Sequence, residues 1–191
     1  HNTICNISSN LRLLALSLLK MANDIRWMGS GPRAGLSELI LPQNEPGSSI
    51  MPGKINPTQS ESLIQVCLKV IGNDTIISFA EAYGSSLDLN VCKPLIITSL
   101  LESIELLTNS ISSFITYCLL DLKVNSAHIN SQLDNLLMVV TNLTPILGYD
   151  KCSAIAIKAY DENKTIKQVI SEMNIKFEED LEDLLDPKKM I

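Results

Sequence analysis

Aromatic side chains make up only 4% of this 191-residue chain, so its 46% hydrophobic content rests on Leu, Ile, Val and Ala. Aliphatic cores of that kind suit packed helices. Basic residues are also in short supply. The formal net charge is −6, which excludes nucleic acid as a principal partner, because phosphate binding needs a basic face. Histidine occurs only at His1 and His128, without metal-ligand spacing, so no metal site is expected. The five cysteines (Cys5, Cys67, Cys92, Cys118 and Cys152) are scattered and form no CxxC pair. An odd, dispersed set reads as reduced thiols in a cytoplasmic compartment. No uninterrupted apolar run reaches about 18 residues, so no membrane span is expected. The chain opens at His1 inside a helical pattern with no initiating methionine, and reads as a piece of something longer.

What is present is helical periodicity. Residues 8–27 place Leu11, Leu14, Leu18, Met21 and Ile25 at three-to-four spacing, up to a stop at Gly29-Ser30-Gly31-Pro32. A second helix follows Asn56-Pro57, with Asn56 as cap and Gln59 completing a capping box. Its apolar face runs Leu63, Val66, Cys67, Val70, Ile71, Ile77 and Phe79 to a break at Gly84-Ser85-Ser86. Lys93-Pro94 opens a third, with Ile97, Leu100, Leu101, Ile104, Leu107, Ile111, Phe114, Ile115 and Cys118 on one face. Long helices with wide apolar faces predict an all-α bundle.

Beyond residue 125 the pattern shortens, with candidate helices at 126–140, 150–162, 165–174 and 177–185. Charge shifts at the same place, from 8 basic against 10 acidic residues in 1–125 to 7 against 11 in 126–191. The expectation is a long-helix bundle domain over 1–125 and a small helical domain over 126–191.

Between the first two helices, residues 29–56 carry no period and are rich in Gly and Pro, a length that is usually functional or disordered. GSSIMPGKIN (47–56) sits directly before a helix start. Lys54 is electrostatically unhelpful beside a helix N-terminus unless both hold an anion. The phosphate-binding loop is excluded, because Gly47 to Gly53 is one residue too long and Ile follows the lysine. No Gly-x-Ser-x-Gly elbow supports a serine hydrolase. A loop that binds a carboxylate and moves a proton remains. Backbone amides and Lys54 would stabilise an oxyanion, and in that field Ser48 or Ser49 could serve as base.

NEPGSSIMPGKINPTQSE (44–61) resembles the signature of the fumarase/aspartase superfamily, and ANDIRWMGSGPRAGLSEL, NDTIISFAEAYGSSLDLNVCKP, DLKVN, LMVVTNLTPILGYDK and DPKKMI resemble further fumarase segments in order. Thr58-Gln59 with Glu61, and Lys93-Pro94, are similar to the class II fumarase branch rather than the aspartase one. The resemblance implies reversible hydration of fumarate to L-malate, without metal or organic cofactor. It assigns the base to Ser48, substrate contacts to Ser49, Lys54, Asn56 and the amides of Ile50 and Met51, and the orienting of a catalytic histidine to Glu61. Counted from Asn56 as cap, Glu61 lies just past the first helical turn, which favours that role over a dipole contact. The family's histidine matches neither His1 nor His128, and His128 reads as a surface residue. The resemblance further implies a homotetramer whose active sites each draw on three subunits, so the chain alone would be inactive. An aspartate ammonia-lyase of the same superfamily, or a non-catalytic fragment, are the alternative readings.

Overall fold

The computed structural model describes residues 1–133 and 135–190. The described residues form two compact units, 1–125 and 126 onward.

The first unit is built on three long helices, α1 (Asn2–Met28), α2 (Thr58–Tyr83) and α3 (Lys93–Phe114), the last running on through a π-turn at Ile115–Leu119. α1 starts earlier than the apolar period suggested. Its contact seam is Ala15, Ala22 and Ile25, while Leu14 stays 43% exposed. Small residues two turns apart let α2 approach closely with Leu63, Cys67 and Val70, and Leu107, Phe114 and Cys118 complete the core. A second cluster joins Ile77 and Ala80 of α2 to Ile96 and Leu100 of α3. The face anticipated on α3 is therefore divided. Leu100, Leu107, Phe114 and Cys118 are buried, whereas Ile97, Leu101, Ile104 and Ile115 are exposed, as is Phe79 on α2.

Polar groups are buried within the same helices. Asp74 accepts from Ser8 Oγ at 2.6 Å and from Arg12 Nε at 2.9 Å, tying α2 to α1. Beside it Asn73 donates to Glu102 Oε2 at 2.9 Å and Ser103 Oγ at 3.1 Å on α3. By length and mean hydropathy (1.4 and 1.2), Thr58–Tyr83 and Lys93–Leu119 are long and apolar enough to cross a membrane. The count of uninterrupted apolar residues missed this because isolated polar residues break every run. In this structure these helices pack on each other, and the Asp74–Arg12 pair makes α2 a poor match for lipid.

The Asn73 amide and the Lys69 ammonium hold the Glu102 carboxyl below the usual glutamate range, against a smaller opposing effect of burial. A depressed folded-state pKa contributes stability above the unfolded range, and that contribution is lost as pH falls through it. The expected result is a melting-temperature gap between wild type and Glu102→Gln that is present at neutral pH and narrows on acidification.

Two short ribbons finish the unit. β1 (Leu39–Ile40), within the long connection, pairs antiparallel with β4 (Lys123–Val124), and β2 (Ser85–Ser86) pairs with β3 (Leu89–Asn90) in a hairpin between α2 and α3. Asn90 Nδ2 donates back to the Ala80 carbonyl at 3.1 Å, which closes that turn.

The second unit comprises α4 (Ser126–Leu133), a 3-10 segment (Leu137–Leu143), α5 (Thr144–Leu147), α6 (Tyr149–Asp161), α7 (Ile166–Glu172), α8 (Leu181–Leu184) and a closing 3-10 turn (Pro187–Met190). The helix expected over 126–140 ends at Leu133 and a 3-10 segment follows; position 134 within it, and Ile191 at the end of DPKKMI, lie outside the described residues. Thr165 and Gln168 form the reciprocal capping box that their spacing suggests. The core joins Val140, Leu143, Ile155, Ala159, Val169, Ile170 and Leu184, with Phe177 and Leu181 packed against it. The acidic stretch before Pro187 is helical only over Leu181–Leu184. His128 is partly exposed on α4.

Candidate active site

The Gly- and Pro-rich loop is closed on itself at its base. Thr58 Oγ1 donates to Glu45 Oε1, and inside that rung Asn56 Nδ2 donates to the Gly47 carbonyl. Chain ends held together in this way define an Ω-type loop. Gly47 is required there, because a Cβ would lie 1.8 Å from the Lys54 carbonyl oxygen. Gly53, at φ +76°, takes the left-handed conformation that reverses the chain at the tip. Asn44 Nδ2 anchors the preceding residues to the Tyr117 carbonyl at 2.7 Å, on the π-turn.

Within the loop the half-buried Ser48 hydroxyl oxygen accepts from two backbone amides, Ile50 N and Met51 N, each at 3.2 Å. The resemblance assigns those amides to substrate; here they face the serine oxygen. Two N–H donors on one hydroxyl oxygen favour its deprotonated form. Ser48, Met51, Gly53 and Lys54 line one shallow hollow of about 430 Å³ with Gln43, Glu45 and Gly47. Lys54 is exposed and, among the described residues, makes no ion pair. Ser49 and Ile50 are exposed and lie outside that lining.

The start of α2 differs from its expected form. Pro57, not Asn56, holds the cap position, and no side chain caps the helix. The Asn56 amide is spent on Gly47, and Gln59 Oε1 accepts from Ser113 Oγ at 2.9 Å, so there is no capping box. The helix begins later than counted, which places Glu61 within the first turn. The argument from its position therefore fails, since a carboxylate there is favoured by the helix dipole alone. Glu61 also has a partner, Arg26 Nη2 at 3.4 Å, from the last turn of α1. Arg26 and Glu45 were not singled out from sequence, and Thr58 only as part of the Thr58-Gln59 pair that resembles the fumarase branch. Arg26 offered only a cation near a helix C-terminus, and no local spacing links position 26 to 61.

Of the residues assigned from sequence, Ser48, Met51 and Lys54 thus share one hollow. Asn56 stands at its base, and Glu61 is on α2 beside Arg26.

Residues 1–72 match the family described as Lyase, and residues 139–191 match the one described as Fumarase C C-terminus. Over all 191 residues the chain is 49% identical to the class II fumarate hydratase of Rickettsia felis, of which it covers 41%. It is 46% identical, again over its full length, to the mitochondrial fumarate hydratase of Dictyostelium discoideum and covers 39% of it. The fold superposes on the crystal structure of a recombinant class II fumarase from Schistosoma mansoni with a TM-score of 0.89 at 43% identity, covering 100% of this chain and 40% of that one. A fumarate lyase:delta crystallin from Brucella melitensis gives the same TM-score at 37% identity, over 98% of this chain and 40% of that one. The chain spans about two fifths of the length of the curated relatives it matches. Over that share the chain is similar to the class II fumarases, with a Lyase match at its start and a Fumarase C C-terminus match at its end.

Proposed function

We propose that this chain contributes the proton-abstracting loop of a class II fumarate hydratase, which interconverts fumarate and L-malate by anti addition and elimination of water. The observation that carries the reading is Ser48, whose Oγ accepts two amide hydrogen bonds and lines the same hollow as Lys54. In the dehydration direction Ser48 takes the proton from the carbon next to a malate carboxylate. The electron pair left behind spreads into that carboxylate as a doubly charged aci form. Lys54, in the lining of the same hollow, supplies a full positive charge, and Ser49 and Asn56 add polar contacts to the same carboxylate. The hydroxyl then leaves from the opposite face as water, after protonation by an acid outside this chain. Glu61, held on one side by Arg26, presents its carboxylate to a catalytic histidine that is neither His1 nor His128.

The two units fit the end of the central bundle domain (1–125) and a small C-terminal domain (126–191). Leu13, Leu68, Leu101 and Phe79 are each more than half exposed on the long helices. An apolar surface of that kind supports burial against further helices, in a homotetramer whose sites each draw on three subunits. The reduced cysteines, all free in the structure, support a cytoplasmic setting.

Malate and aspartate turnover by the complete enzyme test the assignment. Fumarate formed from malate, with no ammonia released from aspartate, is the expected result. Ammonia release without malate turnover would replace it with an aspartate ammonia-lyase. The purified 191-residue chain should hydrate no fumarate by itself, and measurable activity would refute the shared site.

A further inference from the structure

We propose that the N-terminal end of α2 holds one ordered water molecule, bound between Ser60 Oγ and the first-turn amides. Ser60 is the third residue of this 26-residue helix and only 1% exposed. Its hydroxyl is the one buried side-chain polar atom without a hydrogen-bond partner among the described residues. A hydroxyl is both donor and acceptor, and leaving it dry and unpaired is costly.

The helix end offers complementary groups. The first amides of an α-helix have no partner within it, here those before Glu61, whose own amide donates to the Pro57 carbonyl at 3.0 Å, and no side chain caps α2. The nearby side chains that could do so are committed elsewhere: Asn56 to Gly47, Thr58 to Glu45, and Gln59 to Ser113. Cys118 adjoins Ser60 but makes no hydrogen bond with it. Burial pushes the Cys118 thiol pKa up.

Between these groups lies a cavity of about 10 Å³, lined by Leu41, Asn44, Asn56, Thr58, Ser60 and Cys118 among others. That is about the space one water occupies, and the lining is polar enough to hold it. It is far too small for a dicarboxylate. The water accepts from a first-turn amide and shares a hydrogen bond with Ser60 Oγ, so it caps α2 where Pro57 cannot. It also ties the helix start to the chain at 41–44 and to the π-turn at Cys118, and so fixes the base on which Asn56 stands. None of this depends on the reaction proposed above, and the test involves no catalysis.

A high-resolution crystal structure of the 191-residue chain, with water–amide NOEs in solution as a second measurement, decides the matter. The expected result is a water within hydrogen-bonding distance of Ser60 Oγ and a Ser60→Ala variant that melts a few degrees lower. A dry cavity overturns the proposal. So does a Ser60→Ala variant that melts higher, because deleting a hydroxyl that was unpaired relieves its desolvation penalty.

Discussion

Replacing Ser48 with alanine lowers malate dehydration by the complete enzyme by about 10²–10⁴-fold, the usual worth of a positioned general base. kcat falls with kcat/KM, because the lost interaction acts on the proton in flight rather than on bound substrate. Assembly is retained and stability stays within about 0.5 kcal/mol of wild type, since Ser48 is half-buried in a loop and belongs to neither hydrophobic cluster of its unit. Ser49→Ala serves as the comparison. Ser49 is exposed and its side chain has no partner among the described residues, so its removal weakens substrate binding and leaves most of kcat. Steady-state kinetics on the two variants separate the serines. Equal losses in both, or a Ser49 defect exceeding that of Ser48, would move the base. Loss of the proposed tetramer in Ser48→Ala would return the loop to a structural role.

The Ser48 prediction rests on a contact that residue spacing alone did not reveal. Local sequence limited the base to Ser48 or Ser49, and family resemblance chose between them. The geometry adds a physical reason, since the Ile50 and Met51 amides converge on Ser48 Oγ. The Gly and Pro positions marked the loop correctly because their backbone demands are local: Gly47 is pressed against the Lys54 carbonyl and Gly53 is left-handed. The long helices were legible for the same reason, as periodicity is a local property. Their packing was not. Apolar spacing put Ile97, Leu101 and Ile104 on the same face as Leu100 and Leu107, yet this unit buries only the latter two. A stripe wide enough for several neighbours does not say which neighbour the chain itself supplies. The start of α2 misled for a different reason. Asn56-Pro57 carries a cap signature, but the Asn56 side chain is drawn to the Gly47 carbonyl, a partner that only the closed loop brings near. The Glu61–Arg26 pair likewise joins two helices across the loop, and no local spacing encodes it.

The largest stability effect expected of a polar substitution is at Asp74, a residue that apolar periodicity passes over. Its side chain is 9% exposed and accepts from Ser8 and Arg12, while the Arg12 side chain is 37% exposed. Asp74→Ala leaves the buried Ser8 hydroxyl unpaired and Arg12 without its carboxylate. Removing one partner of a fully buried pair costs about 3–5 kcal/mol. Arg12 can still turn toward water, which brings the expected loss down to about 2–3 kcal/mol. Asp74→Asn keeps an acceptor for Ser8 but loses the charge facing Arg12, and falls between wild type and alanine. Denaturant titration of the 191-residue chain measures this directly, as a lower midpoint with an unchanged slope. A change within about 0.5 kcal/mol for Asp74→Ala would mean that the pair contributes no more than an exposed one. The closeness of α1 to α2 would then rest on Ala15, Ala22 and Leu63 alone, and Leu63→Ala would be the more damaging change, at about 2–5 kcal/mol. The order of those two variants therefore distinguishes a helix pair held by its buried ion pair from one held by its apolar seam.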